Sequence, residues 1–343
     1  MRGLILLVLL FAWPSFSTPA LAAERKEFCV FDVAGANGFV YKTLEIYKRQ
    51  AVAKGVQLHM RPYNNEQKAV EDFEAGNCDL VAVTDMGVRR YNDFTGSISA
   101  IGAVPRYEDL KVLMYILASP RVADHLETET YQVLGVAPMG AAYLFVNDRQ
   151  INHVDALKGK RITVFDGHHD ARHMIEYVGA EPVDARISNF HTLFNRGDAD
   201  ISYAPGAAYE VLEMFRGMGE SGGIVRYPVG QVTVQLVARK GAFEERFVRQ
   251  SRRLISRLYP EAMRVIRQYE DAIPESRWID ISPEDVRAYQ AMLRGVRLDM
   301  QSSEDAQVQL AANAYNDDMM TILRKVRCYT NPGAEECSAS DRE

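Results

Sequence analysis

Beyond its first two dozen residues the chain has no apolar run of the about 20 residues that a membrane-spanning helix requires. That excludes a membrane-embedded transporter. There is no basic surplus either: 40 Lys and Arg stand against 46 Asp and Glu, for a formal charge of −6. The charges are spread evenly, so neither a nucleic-acid footprint nor a polybasic patch for stable membrane attachment is present. The short catalytic signatures G-x-S-x-G, H-E-x-x-H and G-x-x-x-x-G-K-[ST] do not occur. Gly35-Ala36-Asn37-Gly38 is too short for a dinucleotide fingerprint, so no enzyme and no cofactor is expected. Cysteine is scarce, with four in 343 residues and no C-x-x-C pair, which leaves a thiolate metal site without its usual spacing.

What is present begins with a leader. Arg2, the apolar run 3–13 and the small-x-small site Ala20-Leu21-Ala22 have the anatomy of a secretory signal peptide over 1–22, cleaved near Ala22. Ala23 follows the site, where a lipoprotein would need cysteine. The expected location is the periplasm, and four cysteines suit that oxidising compartment. About 320 residues then remain, enough for two domains of ordinary size.

One pattern occurs twice. Residues 26–33 read as a strand, and 39–54 as an amphipathic helix with Val40, Leu44, Tyr47 and Ala51 at three- and four-residue spacing. A strand at 56–60, a helix at 65–75 and an apolar strand at 78–84 complete a β-α-β-α-β unit. The order returns with a strand at 161–165, a helix at 169–178, a short strand at 182–185, a helix at 188–195 and a strand at 201–204. The helix-stop and strand-start runs also match, Glu74-Ala-Gly-Asn-Cys-Asp79 against Asn195-Arg-Gly-Asp-Ala-Asp200. Two α/β lobes built alike follow from this.

Residues 131–146 read as a pair of strands crossing between the lobes, and 224–239, with clear period-2 alternation, as a second crossing. Beyond Phe243 the chain reads as helix, returning to the first lobe. The expected division is lobe one from 23–135 plus 230–343 with the helical tail, and lobe two from 136–229. More than one crossing makes a hinge. The expected fold is therefore α/β, a two-lobed periplasmic-binding-protein (Venus flytrap) architecture of parallel sheets flanked by helices.

In such a sheet the first and third strands are neighbours, close enough for a disulfide. Cys29 with Cys78, and Cys328 with Cys337, are the favoured pairings of the three possible. Ligands bind at the carboxyl ends of the strands, which here are the segments 32–41, 63–65 and 84–91 in lobe one and 166–172, 188–189 and 203–209 in lobe two. The candidate ligand-binding residues are Asn37, Tyr41, Asp85, Arg89, Tyr143, His168, Asp170, Arg172, Asn189 and Tyr203. Arg89, Arg90 and Arg172 suit bidentate capture of a carboxylate, and helices starting near Gly38 and His168 offer free N–H donors to an anion. Asp85, Asp166 and Asp170 suit an ammonium group instead. His169 and His173 are four apart on one helix, a metal-chelating interval, but no third ligand stands at a diagnostic spacing, so no metal is expected.

Several runs carry a resemblance that covers nearly all the chain after the leader: CVFDVAGANG at 29–38, GNCDLVAVTDM at 76–86, RRYNDFTGSI at 89–98, GAAYLFVND at 140–148 and ISNFHTLFNRGDAD at 187–200. The sequence resembles the AdeT-type solute-binding proteins, a family that has carried a resistance-nodulation-division (RND) efflux label. Without membrane-spanning helices the chain cannot itself be such a pump. DALKGKRITV at 155–164 with VGAEPV at 178–183 is more remotely similar to the extracytoplasmic receptors of TRAP transporters. That resemblance implies a flytrap closing on a small, anionic solute and delivering it to a membrane permease. Where those receptors place a carboxylate-gripping arginine, this chain has Thr163, with Arg161 two residues earlier. Another arginine must then take over, or the ligand is not a carboxylate. The competing expectation is a periplasmic accessory protein beside an efflux or envelope system, with no small ligand.

Overall fold

A computed structural model describes residues 24–339; the leader expected at 1–22 lies outside the described residues. The first unit runs β1 (Glu24–Phe31), α1 (Phe39–Val52), β2 (Val56–Tyr63), α2 (Glu66–Glu74) and β3 (Leu80–Thr84). α1 buries Val40, Leu44, Tyr47 and Ala51, the four residues its spacing marks, and Asn65 caps α2 by accepting from the Lys68 N–H. Every residue of β3 is buried, as a strand covered on both faces must be. The one-turn helices α3 (Asp85–Val88) and α4 (Asp93–Gly96) and then α5 (Tyr107–Leu117) lead to the long strand β4 (Tyr131–Val146).

The second unit repeats the order with β5 (Arg161–Phe165), α6 (His169–Tyr177), β6 (Glu181–Ala185), α7 (Phe190–Arg196) and β7 (Ile201–Pro205). One-turn helices α8 (Ala208–Val211) and α9 (Phe215–Met218) precede β8 (Gly223–Arg239). The remainder is α10 (Glu245–Arg257), α11 (Tyr259–Asp271), the short strand β9 (Trp278–Ile279), α12 (Pro283–Ser302), α13 (Ala306–Ala312) and α14 (Asp317–Thr330).

The strands form one continuous sheet in the order β2-β1-β3-β8-β4-β7-β5-β6, with β9 beside β8. Each lobe supplies three parallel strands, but β8 runs antiparallel to β3 of the first lobe, β4 antiparallel to β7 of the second, and β8 and β4 antiparallel to each other. The sheet is therefore mixed rather than parallel throughout. Residues 131–146 are one strand, not the pair expected; its alternation is interrupted because the pairing with β8 shifts register at four places, including Pro138/Gly140. Gly140 has φ +125, a conformation that side-chain-bearing residues rarely adopt. This bulge lies between the part of β4 that pairs with β8 alone and the part that also pairs with β7.

The tail also departs from expectation. α10 and α14 pack on the first lobe, Phe247 and Ile255 beside Leu44 and Met319 and Leu323 beside Leu110. α12 instead lays Tyr289, Leu293, Val296 and Met300 on the second lobe, against Ile162, Met174 and Ile175. The amphipathic pattern shows that a helix is buried but not on which lobe. Cys29 and Cys78 are bridged with Cα atoms 5.9 Å apart, and Cys328 and Cys337 with Cα atoms 5.6 Å apart. Among the described residues no helix is long and apolar enough to cross a membrane.

Candidate functional site

At the carboxyl ends of the strands the two lobes enclose a cavity of about 290 Å³. Lobe one contributes Asp32, Asn37, Phe39 and Asp85, lobe two contributes Phe165, His168, Asp170 and Tyr203, and the crossing strands close it with Met139, Ala142 and residues 229–232. Most of the lining is apolar. Among the described residues no lysine or arginine lines it.

The helix N-terminus at Gly38 is already occupied. Asp32, at the end of β1, accepts from the N–H groups of Val40 (2.9 Å) and Tyr41 (3.2 Å), and through its other oxygen from Ala34 (2.9 Å). Burial raises its carboxyl above the usual range, and these backbone donors oppose the shift. The close approach depends on Gly38, where a Cβ would stand 1.8 Å from Asp32 Oδ1. Gly38→Ala should lower stability by about 3 kcal/mol, the upper end for overpacking, measured from urea unfolding midpoints.

Arg89 follows α3 and donates across the cleft to Asp170 in the first turn of α6, with Nη2–Oδ2 2.8 Å and Nη1–Oδ1 3.4 Å. The fork is bidentate and spans the two lobes. Arg89 also donates to Ser99 Oγ (3.2 Å), and the Tyr315 hydroxyl donates to Asp170 Oδ2 (3.0 Å). Burial would raise the Asp170 carboxyl, but the Arg89 charge holds it well below the usual carboxylate range. The arginine best placed to grip a ligand carboxylate thus holds a carboxylate of the protein.

The other arginines are also engaged, away from the cavity. Arg172 pairs with Asp184, Arg90 with Glu74 at 3.6 Å, and Arg161 with Asp200 at 2.7 Å. Thr163 is fully buried and shares a 2.7 Å hydrogen bond with Ser202.

Of the ten candidates, Asn37, Asp85, His168, Asp170 and Tyr203 line the cavity, and Arg89 stands behind it in contact with Asp170. Four do not line it. Tyr41 directs its hydroxyl to Met60 O (3.4 Å), and Asn189 accepts from the Arg186 N–H (2.7 Å). Arg172 is held by Asp184, as above, and Tyr143 donates to Glu270 (3.1 Å). Strand-end position predicts nearness but not which way a side chain turns. His173 lies 2.8 Å from Asp299 of α12, and among the described residues no group of three or more His, Cys, Asp or Glu could hold a metal ion.

Sequence reasoning missed Gln231. It lies on β8, is 1% exposed, lines the cavity, and leaves both amide atoms without a hydrogen-bond partner. His168 Nε2 is likewise sealed and unpartnered, and the Tyr203 hydroxyl faces the Phe165 backbone without reaching hydrogen-bond geometry. A polar residue in the midst of a strongly apolar strand was the available signal. Orphaned buried polar atoms are costly, and four of them on three residues around one cavity mark where a ligand's polar groups would be received.

Burial pushes His168 down to about 4, against a partial opposing effect of Asp170, so the ring is neutral at pH 7. Its NMR shifts should show no protonation until about pH 4. The sign for stability follows: the contribution is full above the unfolded value, about 6.5, and is lost as pH falls toward the folded one. Across that window the wild type should lose stability relative to His168→Gln.

Comparison with known proteins agrees with this geometry. The family described as "Solute-binding protein AdeT 1/2" matches residues 39–342. A probable solute-binding protein AdeT1 from Acinetobacter baumannii is 32% identical over 312 residues, covering 91% of this chain and all of that one. AdeT2 from the same organism is 23% identical over 245 residues, covering 71% and 99%. Among solved structures, a TRAP periplasmic solute-binding protein from Anaerococcus prevotii with bound D-glucuronate has a TM-score of 0.68 at 12% identity, covering 90% of this chain and 99% of that one. One from Rhodoferax ferrireducens with bound malonate also has a TM-score of 0.68, at 9% identity, covering 90% and 100%. These likenesses carry the fold: a two-lobed periplasmic-binding-protein architecture. The relatives are described as solute-binding proteins and not as enzymes. With the family matched across nearly its whole length, the chain belongs to the AdeT1/AdeT2 family of solute-binding proteins.

Proposed function

We propose that the protein is a periplasmic receptor that captures one small solute between its lobes and presents the closed form to a membrane transporter. The observation that carries the reading is the interlobe cavity lined by Gln231, His168 and Tyr203, with the Gln231 amide, His168 Nε2 and the Tyr203 hydroxyl buried and unpartnered. About 290 Å³ sits at the lower end of ligand pockets, which run from about 300 to 1,000 Å³, and suits a small molecule held mainly by apolar contact. The leader over 1–22 and the two disulfides support export to an oxidising compartment. An accessory protein without a ligand would be expected to have a filled or apolar cleft; this one is open and, though mostly apolar, is also lined by Asp32, Asp85, Asp170 and Gln231.

The solute is not gripped through a carboxylate. Arg89 is taken by Asp170, the α1 N-terminus by Asp32, and Thr163 by Ser202. The test is a thermal-shift screen of protein unfolded and refolded to strip carried ligand, across carboxylates, sugars, amino acids and amines. A ligand at 100 times its Kd adds about 2.7 kcal/mol, read as a shift of several degrees. Gln231→Leu should remove about half of that shift. A refolded chain that responds to nothing would overturn the receptor reading.

A further inference from the structure

The charge around the cavity is unbalanced. Three carboxylates line it, Asp32, Asp85 and Asp170, and one guanidinium, Arg89, stands beside them. Arg89 and Asp170 satisfy each other, and Asp32 is held by three backbone N–H groups. Asp85 is different. It is 1% exposed, accepts from the Thr233 N–H at 3.1 Å and from the Ser99 side chain, and feels the Arg89 charge, but among the described residues it forms no direct ion pair. A buried carboxylate in that position is costly unless it meets a positive partner or takes up a proton, and burial does raise the Asp85 carboxyl above its ordinary range.

A second observation is independent of the acids. Gln231 lies two residues before Thr233 on β8, so period-2 alternation sets both on one face, about 7 Å apart along the strand. Its amide oxygen is sealed from solvent and accepts from nothing. Asp85 and Gln231 thus bring two acceptor-bearing side chains to the lining of one cavity, and Phe165, Phe190 and Tyr203 bring aromatic rings to it, which attract a cation through their faces.

We propose that the cavity is built for a monocation with an apolar body, a protonated amine received by the Asp85 carboxylate and the Gln231 amide oxygen and surrounded by aromatic rings. The inference rests on the receptor reading above and assigns that site its ligand class. It is the reverse of the organic acids named with the structural neighbours, and the difference arises because this chain supplies its own carboxylate to its arginine.

The experiment is titration calorimetry of refolded protein with 2-phenylethylamine, 2-phenylethanol and phenylacetate, which share one apolar body and differ in charge. The amine should bind at least tenfold more tightly than the alcohol, and phenylacetate should bind most weakly. In Asp85→Asn the amine should lose its advantage while the alcohol's Kd changes less than threefold. Gln231→Leu, which leaves every charge in place, should weaken the amine about tenfold and carries the test if the Asp85 variant does not fold. The alcohol or phenylacetate binding as tightly as the amine overturns the proposal. If none of the three binds but an acid or sugar of the wider panel does, the ligand class is wrong and the receptor stands. If nothing in any class binds, both fall.

Discussion

Asp170→Asn should make the cleft a carboxylate binder. In the wild type the Arg89 fork is filled by Asp170 across the lobes, at 2.8 and 3.4 Å. Asparagine preserves shape but removes the charge, leaving a guanidinium only 15% exposed without its counter-ion. Breaking a buried pair from one side costs about 3–5 kcal/mol, and the lower figure applies because Arg89 retains some solvent. A ligand carboxylate entering the cavity would restore the missing charge. Succinate or malonate at millimolar concentration should therefore raise the melting temperature of Asp170→Asn by several degrees and leave the wild type unchanged. The pH dependence has a definite sign. The folded Asp170 carboxyl lies well below its usual range, so its contribution is complete above about pH 4, the ordinary aspartate value, and fades as pH falls below it. The stability gap between wild type and variant should be flat near neutrality and narrow only in acid. Equal responses of the two proteins to succinate would show that Arg89 does not face the ligand space.

Removing the Cys29–Cys78 bridge should cost more stability than any of the substitutions above. The bridge joins residues 49 apart in sequence, and closing a loop of that length restricts the unfolded chain by about 4 kcal/mol. Cys328–Cys337 spans only 9 residues and should contribute about 3 kcal/mol or less on the same reasoning. Both residues of the longer bridge are buried, at 0% and 1% exposure, so alanine is the substitution that leaves no orphaned hydroxyl. Neither residue lines the cavity. Cys29→Ala with Cys78→Ala should thus lower the free energy of unfolding by about 4 kcal/mol and change ligand Kd less than twofold. Guanidinium unfolding paired with calorimetry measures both. A large loss of affinity at preserved stability would tie the bridge to the site rather than to the scaffold.

Much of the fold was legible because both units announce themselves by period. The spacing of Val40, Leu44, Tyr47 and Ala51 marks the buried face of α1, and the wholly apolar β3 marks a strand covered on both sides. The pairing of Cys29 with Cys78 follows from β1 and β3 being neighbours. The direction of β4 and β8 and the lobe on which α12 settles were not legible, because patterning reports burial and not partner. At the site, strand-end logic found Asp85, His168, Asp170 and Tyr203. It also selected Tyr41 and Tyr143, whose hydroxyls turn to Met60 and Glu270, since position along a strand leaves rotamer undetermined. Gln231 was invisible to it because β8 was read as a crossing and not as a cavity wall. That Arg89 would be neutralised by Asp170 depends on residues 81 apart in sequence, a contact that exists only once the lobes meet.

The most direct test of the central claim uses Gly230, which lines the cavity and has open space where a Cβ would stand. Gly230→Phe should fill the ligand space without straining the backbone. Whatever ligand the thermal-shift screen identifies should be titrated calorimetrically into wild type and Gly230→Phe in parallel. The account expects saturable one-to-one binding to the wild type and at least a hundredfold weaker binding to a variant of unchanged melting temperature. Equal affinity for both proteins would contradict it, because the solute would then bind somewhere other than between the lobes.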